Sequence, residues 1–171
     1  MSSASTGRLV VVIIIVGAAV RLALASATGL GFDEAYMVGN ARQLLLGYID
    51  HPPLHVWVAW LAQHAFGSDA PVVVRLPFIL FFAGSTWLLY RLTERLFGRQ
   101  AGLWAVVAFN LAPVFSLAHA SWVLPDGPLI FFLLAAANVV ARVLFDETQP
   151  ERLNLWWVAA GVFGGLALLS K

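Results

Sequence analysis

Five apolar segments, each close to the length of a membrane-spanning helix, restrict the fold of this chain more than any other feature. The hydrocarbon core of a bilayer is about 30 Å thick, so a helix needs about 20 residues to cross it. The segments are residues 9–28, 72–92, 101–118, 129–145 and 153–170. Hydrophobic residues make up 61% of the chain, above the roughly 45–50% of soluble domains, so lipid must surround most of them. The sequence predicts an all-α integral membrane protein.

The first segment has two interpretations. Arg8, the apolar run that follows it and the small residues Ala25-Ser26-Ala27 resemble a cleavable signal peptide. Arg21 interrupts that pattern, and further spans follow. We therefore interpret residues 9–28 as a retained first helix.

The distribution of basic residues predicts the orientation. With a cytoplasmic N-terminus, six arginines fall on the cytoplasmic side, which are Arg8, Arg91, Arg95, Arg99, Arg142 and Arg152. The opposite side then carries three basic residues, Arg42, Arg75 and Lys171, together with most carboxylates and all four histidines. The net charge of +1 gives no sign of nucleic-acid binding, and the absence of cysteine excludes disulfides and thiolate metal sites. We expect any active face to be extracytoplasmic.

The loop between the first two spans, residues 29–71, is long for a bare connection. Residues 33–46 contain no proline and predict one helix lying in the membrane interface. Pro53 favours the start of a second helix over residues 54–66, whose Trp57 and Trp60 suit the headgroup level. The expected architecture is about five transmembrane helices with two interfacial helices in this extracytoplasmic loop.

Asp33 and Glu34 stand side by side directly after the first apolar segment, although only 11% of the chain is charged. An acidic pair suits the first turn of a helix, which is the structural interpretation. Ionisable groups near a bilayer are costly and often functional. In the functional interpretation, one carboxylate is a general base within about 3 Å of the proton that it removes.

Two further acids lie on the same predicted face. Asp50 and His51 precede the turn Pro52-Pro53, either as a helix cap or as a rigid turn that presents a carboxylate and an imidazole. Asp126 begins the fourth span, where it caps a helix or joins the other carboxylates in one cavity. His64 and His119 are interpreted as structural, and Arg75 either pairs with a loop acid or extends to the headgroups.

Several short motifs, in a fixed order, resemble those of a known family. They are Asp-Glu-Ala-Tyr at 33–36, His-Pro-Pro-Leu at 51–54, Arg-Leu-Pro at 75–77, Pro-Asp-Gly-Pro-Leu at 125–129 and Gly-Leu-Ala-Leu-Leu-Ser-Lys at 165–171. The order resembles the polytopic GT-C glycosyltransferases, in the branch with the protein O-mannosyltransferases and the aminoarabinose transferase of lipid A. Members of that family are longer, so the resemblance implies that residues 1–171 are the N-terminal part of a transmembrane catalytic domain, or a truncated member.

The resemblance also implies roles for individual residues. Asp33 maps onto the proposed catalytic base, with Glu34 and Asp126 as further catalytic carboxylates. Substrate-binding positions are Tyr36, Asp50, His51, Arg75 and Lys171. Asp33, Asp50, His51 and Asp126 are candidate ligands of a divalent metal cation, whose requirement the sequence leaves open.

The implied partners are a sugar donor linked to a polyprenyl phosphate, a glycan, lipid or protein acceptor, and membrane lipids. The implied location is the bacterial inner membrane. Two other functions stay open. A transporter fragment would use Arg21, Asp33 and Asp126 along a polar path, and a non-catalytic membrane scaffold or relic would need none of these groups.

Overall fold

A computed structural model describes residues 3–146 and 150–171, with the side chains of all of these except residues 3, 4, 117–119 and 150–152. Every regular element in these ranges is helical. In chain order the elements are α1 (Ser3–Ala27), α2 (Phe32–Asn40), α3 (Leu54–Phe66), α4 (Pro71–Phe97), α5 (Arg99–Leu111), a π-helical segment (Val114–His119), α6 (Asp126–Phe145) and α7 (Pro150–Ser170).

Four helices in the described ranges are long and apolar enough to cross a membrane. They comprise Ser5–Ala27 within α1, the whole of α4 and α6, and Leu153–Ser170 within α7. The predicted fold class, an all-α integral membrane protein, is therefore confirmed.

The third predicted span is not one long helix. It divides into α5, with 13 residues, and the π-helical segment of six. Pro113 lies between them, and its ring nitrogen has no hydrogen to donate to the preceding turn. The interrupted segment still crosses the bundle. α5 begins just after the last residue of α4, whereas Val123, beyond the π-helical segment, contacts Glu34, which is bonded to Arg75 near the start of α4.

The two helices of the 29–71 loop are both present. α3 covers the predicted residues and ends at Gly67, whose φ of 61° is a left-handed conformation that glycine adopts easily. α2 is shorter than the predicted helix over residues 33–46, and ends at Asn40. Gly39 and Asn40 are weak helix formers, which explains the early end.

α4 is the central helix, and it packs against α1, α3, α5 and α6. α5 comes close to it because residue 102 is a glycine. A Cβ atom added there would lie 3.0 Å from the Tyr90 ring and 3.2 Å from the Tyr90 carbonyl oxygen. Small residues allow this kind of close approach between membrane helices.

The two ends of the bundle differ in charge. At one end, which we call the arginine end, Arg95 bonds to Asp146 at 3.2 Å and Arg99 to Glu94 at 3.3 Å. At the other, which we call the polar end, Glu34, Arg75 and Val123 meet. A buried apolar cluster lies at the polar end and fixes its backbone; it includes Met37, Ala41, Val56, Val74, Phe78 and Val123.

Candidate functional site

A buried ion pair holds the polar end together. The Glu34 and Arg75 side chains are only 1% and 3% exposed. Arg75 donates from Nε to Glu34 Oε1 at 2.8 Å and from Nη2 to Oε2 at 2.6 Å. This two-bond geometry is the strongest arrangement available to an arginine and a carboxylate.

Each partner of the pair also binds backbone groups, which brings four segments together. Arg75 donates to the Gly29 carbonyl and to both oxygens of Thr28, just after α1. Glu34 accepts from the Gly31 N–H, just before α2, and from the Val123 N–H, which precedes α6. The pair therefore joins the α1–α2 connection, α2, α4 and the segment before α6 at one point.

Asp33 points away from this network. It follows the exposed Phe32 in the first turn of α2, and its side chain is exposed. Among the residues that the structure describes, none donates a hydrogen bond to it or pairs with it. The backbone of Asp33 is held in place by the hydrogen bonds of the next residue, Glu34, while the Asp33 carboxylate is exposed.

A second group of polar side chains joins α2 to the turn before α3. The Tyr36 hydroxyl donates to Asp50 Oδ1 at 3.1 Å, and His51 Nδ1 lies 3.2 Å from the same oxygen. The contact with His51 lowers the pKa of the Asp50 carboxyl below its usual value, and the Tyr36 hydroxyl adds to this effect. Asp50 is therefore a carboxylate at neutral pH.

His55 is a buried titratable residue near this group that sequence reasoning did not select. Its side chain is fully buried, and Nε2 lies 3.3 Å from Met37 Sδ. Burial lowers the pKa of His55 to about 4, although Asp50, Asp126 and the backbone of Ser170 act in the opposite direction. The ring is neutral at physiological pH. The available sequence signal is its position four residues after His51, with Pro52 and Pro53 between the two histidines.

Asp126 is the first residue of α6, and it receives a hydrogen bond from Lys171 at the end of α7. The Lys171 Nζ atom lies 2.7 Å from Asp126 Oδ1, and the lysine side chain is 55% exposed. The pair thus joins the ends of two membrane helices, and its cation stays in reach of a ligand.

The structure brings most of the predicted site residues to one end of the molecule. Asp50, His51 and Asp126 are near enough to act electrostatically on the His55 ring, and Lys171 is bonded to Asp126. Of the two roles weighed for Arg75, the structure shows the pairing with a loop acid.

The four predicted metal ligands have different surroundings in the described part of the chain. Within the described part of the chain, no three His, Asp or Glu side chains are arranged to hold a metal ion. Asp33 is exposed and separate, whereas Asp126 is occupied by Lys171 and Asp50 by Tyr36 and His51. The ligand set Asp33, Asp50, His51 and Asp126 stays a prediction.

The two remaining histidines, His64 and His119, are both predicted to be structural. His64 Nδ1 lies 2.9 Å from the Trp60 carbonyl oxygen one turn earlier, and its ring packs on the Trp60 ring with centroids 4.2 Å apart. This is a local structural contact. The side chain of His119 lies outside the described residues.

Comparison with known proteins identifies the family. The profile of the dolichyl-phosphate-mannose-protein mannosyltransferase family matches residues 50–171. The chain belongs to this family. It is also 28% identical over 145 residues to the lipid A galacturonosyltransferase RgtD of Rhizobium johnstonii, covering 85% of this chain. The chain spans 29% of the length of that relative. No solved structure matches this chain.

Proposed function

We propose that the full protein is a membrane glycosyltransferase. It moves a sugar from a polyprenyl-phosphate donor to an acceptor hydroxyl on the extracytoplasmic side, and Asp33 is the general base. The observation that carries this proposal is the contrast between two adjacent acids. Glu34 is buried and bonded to Arg75, whereas Asp33 is exposed and has no partner in the described ranges.

A general base must be available to accept a proton and must be held at a fixed position. Asp33 meets the first condition because nothing described in the structure occupies its carboxylate. It meets the second because the next residue is fixed by hydrogen bonds to α4 and to the segment before α6. In a single displacement, Asp33 takes the acceptor proton, the acceptor oxygen bonds to the anomeric carbon, and polyprenyl phosphate leaves with the electron pair.

The departing phosphate needs positive charge. Lys171 supports this role, because its ammonium group is half-exposed and is oriented by Asp126. Arg75 is enclosed among Glu34, Thr28 and Gly29, so we assign it to positioning. Tyr36, Asp50 and His51 form a polar surface at the same end, suited to sugar hydroxyls.

The acceptor is proposed from the relative. RgtD is named as a lipid A galacturonosyltransferase, which favours a lipid acceptor over a protein or a free glycan. The bacterial inner membrane, with the polar end facing outward, is the corresponding location.

The deciding experiment is Asp33→Asn in the full-length protein. Loss of a general base lowers turnover by roughly 10²- to 10⁴-fold, so we expect kcat to fall by that factor while donor binding and membrane insertion persist. The matched control is Asp69→Asn, an exposed acid in the same loop that pairs with Arg42. This control should leave turnover unchanged. Normal turnover in Asp33→Asn would show that Asp33 is not the base and would favour the scaffold interpretation.

A further inference from the structure

A groove runs between α1 and the interrupted third span. Its volume is about 440 Å³. The α1 side is a mostly apolar row from Val12 to Leu24, which extends over about 18 Å of helix. The other side includes Asn110 of α5 and Ser116 of the π-helical segment. The groove is therefore a long apolar surface with polar groups on the wall opposite α1.

Arg21 contributes the charge of this groove, and its side chain points toward the middle of the membrane. A Cβ atom added to Gly17, one turn closer to the N-terminus, would lie only 2.6 Å from Arg21 Nη1. Gly17 is twelve residues after Ser5 and ten before Ala27, the two ends of the apolar part of α1 that is long enough to cross the membrane. The guanidinium group is therefore near the centre of the span. An arginine that interacts with headgroups would extend toward the nearer end of the helix instead.

Within the described ranges, Arg21 has no acidic partner. The residue is 8% exposed, its Nε atom is buried without a hydrogen bond, and no described carboxylate pairs with it. The Phe82 ring, whose centre is 4.3 Å from the guanidinium carbon, attracts the cation but carries no net charge. Charged side chains inside membrane proteins usually pair with one another. An anion is therefore expected at this depth.

We propose that a further membrane helix, from the part of the full-length protein beyond residue 171, packs in this groove and pairs an Asp or Glu side chain with Arg21. The phosphates of bilayer lipids lie outside the hydrocarbon core, whereas a helix can hold a carboxylate at the centre of the span. A carboxylate also matches the two-pronged geometry of a guanidinium group. The chain spans 29% of the length of RgtD, so a full-length protein of that size has enough further chain to supply the helix.

The first test is photo-crosslinking of the full-length protein in its native membrane. A benzophenone amino acid replaces Val16, which lines the groove, or Ile15, which is 61% exposed, does not line the groove and serves as the control. The linked peptides are identified by mass spectrometry. We expect the probe at position 16 to link to one apolar peptide from beyond residue 171 that contains an Asp or Glu. The probe at position 15 should not link to that peptide.

Several results would overturn the proposal. The probe at position 16 would then link only to lipid, only to residues 1–171, or to a second copy of the chain, which migrates as a dimer on a denaturing gel. A linked peptide without an acidic residue, or equal linking from both positions, would also contradict it.

A charge exchange tests the ion pair itself. Arg21→Glu should lower the melting temperature of the purified full-length protein, because it brings two carboxylates together inside the membrane. Changing the acid of the linked peptide to arginine in the same protein should recover most of that loss, since the pair is restored with its signs reversed. In the control, Arg42→Glu, which removes an exposed cation paired with Asp69, the second change should recover nothing.

An Arg21→Glu protein that the second change does not stabilise would contradict the ion pair. Both tests are made without turnover, so their failure would leave the proposed transferase function standing. Loss of that function would likewise leave the helix contact standing.

Discussion

Adjacent residues in α2 have opposite environments because successive side chains on a helix point about 100° apart. Glu34 faces the bundle and contacts Arg75, whereas Asp33 faces outward. A residue that is buried and fully hydrogen-bonded is more important for stability, and one that is exposed beside it is available for chemistry. The two acids that look equivalent in the sequence therefore have different physical roles.

The buried pair gives a prediction about stability. Glu34→Gln leaves the Arg75 guanidinium buried without a counter-charge, which costs about 3–5 kcal/mol. We expect a loss of that size in the free energy of unfolding, measured by denaturant titration in mixed micelles. Glu94→Gln is the control. Glu94 pairs with Arg91 and Arg99 at the surface and is 26% exposed, so its loss should cost about 1 kcal/mol or less. Equal losses in both variants would contradict the structural role of Glu34.

Sequence reasoning could identify the acids but not separate them. An acidic pair after an apolar span is visible without a structure, and so is an arginine at the start of the next span. Which acid meets Arg75 depends on the rotation of α2 about its axis, and that rotation is set by the packing of Met37 and Val38. His55 escaped notice for the same reason, because its burial results from packing by other elements.

Local sequence signals predicted the bounds of the helices better than they predicted the environments of individual side chains. The bounds of α3 follow from Pro53 at its start and Gly67 at its end, and both signals are local. The third span shows where apolar length alone misleads. Residues 101–118 are apolar enough to count as one helix, but Pro113 separates α5 from a π-helical segment. Ser116 of that segment and Arg21 of α1 line the same groove.

The close contact between α4 and α5 gives a prediction at this scale. Gly102→Val forces side-chain atoms against the Tyr90 ring and its carbonyl oxygen, and overpacking of this kind costs about 1–3 kcal/mol. We expect a lower melting temperature of the purified protein. Gly161→Val in α7 is the control, because nothing lies within 4 Å of its added Cβ. The proposed contact would be refuted by a Gly102→Val protein as stable as this control.

At the scale of the whole molecule, the polar end and the arginine end lie at opposite ends of the bundle, and this separation predicts how the protein is oriented in the membrane. Arginines are retained on the cytoplasmic side of membranes, so the arginine end should be cytoplasmic. The absence of native cysteines in this chain makes the orientation measurable. Gln43→Cys lies in the exposed connection between α2 and α3, and Gln100→Cys lies near the start of α5.

In intact cells, a membrane-impermeant maleimide should label Gln43→Cys and should label Gln100→Cys only after the cells are permeabilised. Denatured protein serves as the control for the reactivity of both thiols. The reverse pattern would place the polar end in the cytoplasm and would contradict the proposed extracytoplasmic reaction.

The hydrogen bond from Val123 to Glu34 also has a consequence for biogenesis. Its two residues are 89 positions apart, so the bond cannot form until α4 and α5 have been synthesised. At about 5–20 residues per second, translation needs roughly 5–20 s to cover that distance. During this interval α2 has been synthesised but lacks the hydrogen bond from Val123 to Glu34. The first turn of α2 therefore gains this attachment only after α4, α5 and the π-helical segment have been synthesised.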